Sequence, residues 1–211
     1  MPTLDLSPRV RSRLRRRRSK ARAKQLWMDA IALVDSPRRE ERANGRDLLR
    51  RLIADHPGEV LDLGWAHALL GDACERDHLD EEAEGHYRRC DELERDPNGP
   101  YSGSDLRLAE LVLRTDQDEL MDEADALLDR LERAETRRLT GSGHRYRFTV
   151  ARARLCARLG RDDEAAAYAV AALGQSVGVR TPAPEGYESI PSRGDAEVML
   201  EMHDLIDFGR S

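Results

Sequence analysis

The sequence contains few of the residues that favour β-sheets. Its 211 residues include nine aromatic side chains (two Trp, five Tyr and two Phe), and β-branched residues are sparse. Alanine, leucine, arginine, glutamate and aspartate dominate instead, and all but aspartate are good helix formers. The composition therefore predicts an all-α protein. With only 39% hydrophobic residues and 36% charged ones, thin and elongated helical packing is expected.

Features of secreted and membrane proteins are also absent from the sequence. The three cysteines Cys74, Cys90 and Cys156 fall within helical patterns and no signal peptide is recognisable, so no disulfide framework is predicted. No apolar stretch approaches membrane-spanning length. Lysine occurs only twice, which leaves 35 − 2 = 33 arginines, a bias typical of high-GC bacterial genomes. We therefore expect a soluble, cytoplasmic bacterial protein with no membrane contact.

Motifs that carry catalysis are missing as well. The sequence has no phosphate-binding loop, no zinc-protease motif and no paired-cysteine motif, and its six histidines lack a metal-ligand spacing. A buried cysteine behaves as a small hydrophobe. The many carboxylates lie on arginine-rich helices, where ion pairs three or four residues apart explain them. We predict no enzyme activity, no cofactor and no metal; an enzyme with an unrecognised site is the third of three functional hypotheses.

The sequence does contain an internal repeat. Ala43, Ala83, Ala124 and Ala165 recur at spacings of 40, 41 and 41 residues, each early in a predicted second helix. Acidic residues precede the last three alanines and complement the dipole of a helix that begins there. Apolar spacing predicts helix pairs near residues 21–56, 59–96, 104–134 and 144–174. Poorer agreement between the first two copies indicates a register difference of one or two residues.

The second copy resembles the tetratricopeptide repeat, in which small residues let paired helices approach each other. The residues that carry this resemblance are Leu70, Gly71, Cys74, Ala83, Tyr87 and Cys90. The similarity covers residues 21–175, although the period is longer than the family's 34, so a tetratricopeptide-like helical repeat is an alternative. It implies a right-handed solenoid of about four antiparallel helix hairpins over residues 21–175. A loop and a C-terminal capping helix are expected over residues 176–211.

The resemblance also implies the leading function, a non-catalytic scaffold that binds a peptide or protein in a concave groove. If Ala165 is the family's small residue at the start of the second helix, the family pattern places Arg147, Arg154 and Arg158 toward the groove. Their spacing of seven and four residues also puts them on one helix face, independently of the resemblance. An acidic peptide segment or chain terminus is the expected ligand, because arginine binds carboxylates in a planar fork; alternatively, these arginines are solvated and pair with nearby acids of the chain. Five further positions complete the predicted groove: Arg107, Arg114, Trp65, Asp72 and Arg76.

The N-terminal residues 1–20 form a strongly basic arm, which we predict to be disordered. Residues 1–24 carry a net charge of +9, so that the overall −6 leaves −6 − 9 = −15 on residues 25–211. The candidate polyanion-binding residues are Arg13, Arg15, Arg16, Arg17, Arg18 and Lys20. A nucleic-acid-associated regulator that uses this arm is the second functional hypothesis. Alternatively, the arm binds an acidic protein or the acidic body of the chain, or only improves solubility.

Overall fold

The computed structural model describes residues 8–56, 63–94, 101–133, 142–176 and 193–208. All regular secondary structure in these ranges is helical, which confirms the all-α prediction. The helices are α1 (Pro8–Val34), α2 (Arg39–Asp55), α3 (Leu63–Arg76), α4 (Asp80–Leu93), α5 (Ser104–Arg114), α6 (Met121–Arg133), α7 (Ser142–Arg158), α8 (Asp162–Ser176) and α9 (Arg193–Phe208). A short 3-10 helix, Asp118–Leu120, precedes α6.

The chain divides into two compact units, Met1–Ser104 and Asp105–Ser211. In the first unit α1 packs on α2 and α3 on α4, while in the second α8 packs on both α7 and α9. The α3–α4 pair is antiparallel, since Gly64 near the start of α3 accepts a hydrogen bond from Cys90 near the end of α4. One repeat domain over residues 21–175 stays a prediction.

Helix α1 begins at Pro8 and not near residue 21. The structure therefore differs from the predicted disordered arm over residues 8–20; residues 1–7 lie outside the described part. The cause is local, because arginine, lysine and alanine are good helix formers and no glycine or proline interrupts the chain between Pro8 and Val34. Proline itself is favoured at the first helical position.

Three of the four repeated alanines are buried early in a helix. Ala83, Ala124 and Ala165 each occupy the fourth position of a helix and are fully buried. Ala43 is only half-buried, and Gly45 takes over its role: a Cβ atom there would lie 2.8 Å from both the backbone nitrogen and Cγ1 of Val34. The first copy is thus shifted by two residues, within the predicted register difference.

The residues that carry the tetratricopeptide resemblance form the core between α3 and α4. All six are buried. Gly71 leaves room for the ring of Tyr87, since a Cβ on Gly71 would lie 2.7 Å from Tyr87 Cδ1. Burial raises the pKa of the Cys74 thiol to about 11 and that of Cys90 to about 12. These thiols are therefore protonated at neutral pH and act as packing groups, as predicted.

Helix α9 covers the apolar side of the last hairpin. Met202 and Ile206 of α9 are buried in one core with residues of α7 and α8, among them Val150, Ala153 and Ala169. This is the place that the sequence predicted for the terminal helix. The preceding loop, residues 177–192, lies outside the described part.

Candidate binding surfaces

In the first unit, two of the three predicted groove residues hold the unit together. The Tyr87 hydroxyl lies 2.8 Å from Asp72 Oδ1 and from Glu75 Oε2. Arg76 Nη1 donates to the Val34 carbonyl oxygen at 2.6 Å and to Asp35 Oδ1 at 2.7 Å, so it closes the C-terminal end of α1. Trp65, by contrast, exposes 43% of its surface.

In the second unit, the three arginines predicted on α7 are each paired with a carboxylate of the same unit. Arg147 Nε donates to Glu110 Oε1 of α5 at 2.9 Å. Arg154 forms a bidentate pair with Glu201 of α9, with Nε–Oε1 at 2.9 Å and Nη2–Oε2 at 2.7 Å. Arg158 binds Asp116, which follows α5. The positions expected to capture an acidic peptide therefore already hold acidic groups of the chain itself.

The remaining two arginines of the predicted groove lie on α5. Arg107 is half-buried and Arg114 is exposed, and both interact with other groups of the protein. Arg107, Arg114, Arg147, Arg154 and Arg158 all belong to the second unit. Trp65, Asp72 and Arg76 belong to the first.

Arg152, which the sequence did not single out, is the most buried of the second unit's described cations. The Arg152 side chain is only 4% exposed and binds three carboxylates of α6: Asp125, Asp129 and Glu132. These acids are spaced by four and three residues, so they share one helix face. That acidic stripe was visible in the sequence, but its partner was not, because Arg152 lies two positions from the predicted row on α7.

A second missed cluster joins α2 to the turn between α3 and α4. The carboxylate of Asp77 is buried and accepts hydrogen bonds from Arg42 Nε at 2.8 Å and from Arg46. Burial alone would raise the pKa of Asp77, but the two guanidinium groups outweigh it and lower the pKa. Asp77 is therefore ionised at neutral pH and holds the two hairpins of the first unit together.

Two of the dispersed histidines meet between α3 and α4. The Nδ1 atoms of His67 and His86 are 3.1 Å apart, so one of the two nitrogens carries the proton of a hydrogen bond. Burial, followed by the charge of His86, lowers the pKa of His67 to about 4. The described residues contain no group of three or more potential metal ligands.

The basic segment of α1, residues 9–24, differs from the other cationic regions that the structure describes. It holds eight arginines, two lysines and no acid. In α1 the structure describes side chains from position 17 onward. The side chains of Arg13, Arg15 and Arg16, which the sequence predicted to bind a polyanion, lie outside the described part. The five described cations are exposed, and within the described part of the chain none forms an ion pair: Arg17, Arg18, Lys20, Arg22 and Lys24.

Helix α2 ends close to the middle of this basic segment. Ser19 Oγ of α1 lies 3.2 Å from Nδ1 of His56, the residue that follows α2. Residues 8–18 of α1 therefore continue beyond the end of α2.

Comparisons with protein-family models, with curated proteins and with solved structures found no match, so the tetratricopeptide resemblance stays a prediction. Among the helices that the structure describes, none has both the length and the apolar character needed to cross a bilayer.

Proposed function

We propose that the protein is a non-catalytic helical-repeat scaffold that binds nucleic acid through the basic segment of α1. The observation that carries this proposal is that, among the described residues, some cations of the protein are bound to carboxylates of the chain and those of the basic segment are not. Arginines of the two units, such as Arg46, Arg152 and Arg154, are bound to carboxylates of the chain. Within the part of the chain that the structure describes, the exposed cations from Arg17 to Lys24 are not. They are thus available to an external anion.

The placement of these cations is unfavourable for the isolated helix. Like charges three or four residues apart repel each other, and positive charge near a helix N-terminus opposes the helix dipole. A bound polyanion removes both penalties. Phosphate is well suited, because arginine binds it through two parallel hydrogen bonds and each contact releases a counterion from the nucleic acid.

Nucleic acid fits this segment better than an acidic protein does. Stable protein interfaces depend on buried apolar and aromatic anchors. Between residues 9 and 24 the apolar residues larger than alanine are only Val10 and Leu14. The segment also has no aromatic residue on which single-stranded bases could stack. Its chemistry is therefore that of a phosphate ligand.

A second candidate function is capture of a protein partner along the arginine row of α7, in a right-handed solenoid of hairpins. The observation that favours it is the pair between Arg154 and Glu201, because here the row binds a carboxylate presented by a helix. About two fifths of each side chain is exposed, so exchange with an external carboxylate is sterically open. An enzyme remains the third hypothesis.

The test of the nucleic-acid proposal is a salt titration of binding to a labelled DNA duplex. The test variant replaces four exposed cations by glutamine: Arg17, Arg18, Lys20 and Arg22. Glutamine is chosen because it keeps helix propensity. If each cation contacts one phosphate, the slope of log affinity against log salt becomes shallower by up to about 3.6 units, at about 0.9 per contact.

The matched control removes the same number of cations from ion pairs at partly exposed sites: Arg38, Arg50, Arg88 and Arg89. This control changes net charge equally and is expected to keep the wild-type slope. Equal loss of binding in both variants would show that total charge, and not the basic segment, governs the interaction. Unchanged binding in the test variant would reject the proposal.

A further inference from the structure

We infer that the basic segment of α1 lies in the major groove of duplex DNA, with two rows of cations bound to the phosphates of the two strands. This inference rests on the proposed function and specifies its ligand. It follows from the helical register of the segment, from the position of α2, and from the dimensions of a helix and of the two kinds of duplex.

The cations fall into two rows on nearly opposite sides of α1. Arg11, Arg15, Arg18 and Arg22 are spaced by four, three and four residues, so they share one face. A second face holds Arg9, Arg13, Arg16, Lys20 and Lys24, spaced by four, three, four and four. Lys20 is two positions after Arg18, which at 3.6 residues per turn is a rotation of about 200°.

Helix α2 occupies the side between the two rows. Ala23, Ala30 and Val34 are buried on this side, and Ser19 reaches His56 from it. The opposite side of α1, which faces away from α2, contains positions 10, 14, 17 and 21. Arg17 is the cation of that side. The two rows therefore flank an outward face that is mostly uncharged.

These dimensions match the major groove of B-form DNA. An α-helix with its side chains is about 10–12 Å wide and that groove is about 12 Å wide. A helix inserted with its outward face toward the base edges brings one cation row to each wall, and Arg17 toward the bases. Residues 8–18, which continue past α2, span about 16 Å at 1.5 Å per residue, or roughly five base pairs at 3.4 Å each.

Other nucleic acids do not offer this arrangement. The major groove of an RNA duplex is deep and too narrow for side chains to read. A single strand has one line of phosphates and leaves one of the two cation rows without a partner. The two-sided charge of α1 therefore predicts a preference for duplex DNA.

The experiment measures the affinity of the 211-residue chain for four probes, each used at the same concentration. They are a 20-base-pair DNA duplex, the RNA duplex of the same sequence, single-stranded DNA, and polyglutamate. At moderate salt we expect at least tenfold tighter binding to the DNA duplex than to either other nucleic acid. Equal affinity for the DNA and RNA duplexes, or tighter binding to single strands, overturns the major-groove inference and leaves the proposed function intact. Failure to bind any nucleic acid, or equal binding to polyglutamate, overturns the proposed function itself.

Dimethyl sulfate footprinting reports the groove directly, because guanine N7 lies in the major groove and adenine N3 in the minor groove. We expect the bound protein to protect N7 and not N3. Protection of N3 alone, or of neither position on a duplex that is shown to be saturated, contradicts the inference.

Two matched double variants test the contact with both strands. Arg18→Gln with Arg22→Gln removes two cations of the first row, and Lys20→Gln with Lys24→Gln removes two of the second. Each pair should make the slope of log affinity against log salt shallower by about 1.8 units, at about 0.9 per phosphate. If one pair accounts for the whole loss and the other has no effect, the helix follows a single strand and does not lie in the groove.

Discussion

At the residue scale, two glycines within helices have opposite surroundings. A Cβ on Gly71 would press into the Tyr87 ring, whereas a Cβ on Gly85 would have no neighbour within 4 Å. We predict that Gly71→Ala lowers the free energy of unfolding by roughly 1–3 kcal/mol through overpacking. Gly85→Ala should raise it by about 0.5–1 kcal/mol, because alanine has the higher helix propensity. Urea unfolding of both variants measures the two effects, and a loss of similar size in both would contradict the α3–α4 packing.

His67 carries a prediction about pH. Its pKa is lowered by burial and by His86 from 6.5 to about 4. Between these two values the unfolded chain binds a proton that the folded protein does not, so stability falls as the pH drops from about 6.5 toward 4. We expect His67→Gln to lose less thermal stability than the wild type between pH 7 and pH 5.

The control for this prediction is His203→Gln, which changes an exposed histidine of α9. It should keep the pH dependence of the wild type. Equal pH dependence in His67→Gln and the wild type would show that the fold does not lower the pKa of His67.

At the element scale, Asp77 connects α2 to the α3–α4 hairpin. Asp77→Ala would leave the buried guanidinium of Arg46, and that of Arg42 beside it, without their carboxylate. We predict a loss of roughly 3–5 kcal/mol in the free energy of unfolding, the range for breaking a buried ion pair from one side. Chemical unfolding measured by circular dichroism gives the value.

The matched control for Asp77 is an ion pair on the surface. Arg89 and Glu92 are half-exposed and lie within one helix. Glu92→Ala should cost less than about 1 kcal/mol, because solvent screens the pair and two flexible side chains lose entropy to form it. If the two alanine variants differ by less than their experimental error, Asp77 is not a link between the hairpins.

The helices themselves followed from local sequence signals. The predicted pairs contain α2 through α8 to within a few residues, because apolar spacing and acidic helix starts act over one or two turns. The start of α1 did not follow, since the charge of residues 1–20 favours a disordered arm. Helix propensity over residues 9–24 favours a helix in spite of that charge.

At the scale of the whole molecule, charge is separated along the chain. Residues 1–24 carry +9 and the rest carries −15. Despite this acidic excess, the exposed cations of the basic segment have no carboxylate partner in the described part of the chain, whereas Arg152 and Arg154 do. This separation is the physical basis of the proposed contact with a polyanion.

The sequence by itself determined the helical class, the repeated alanines and the basic character of the first helix, since these depend on composition and on spacing within a few turns. Only the tertiary structure decided which charges are neutralised. Arg154 meets Glu201 across 47 positions, and Arg42 meets Asp77 across 35. Such pairs depend on which helix faces pack together, and a local sequence pattern does not determine that packing. The same reason explains why the arginine row of α7 was predicted as an open ligand site and found bound to acids of its own unit.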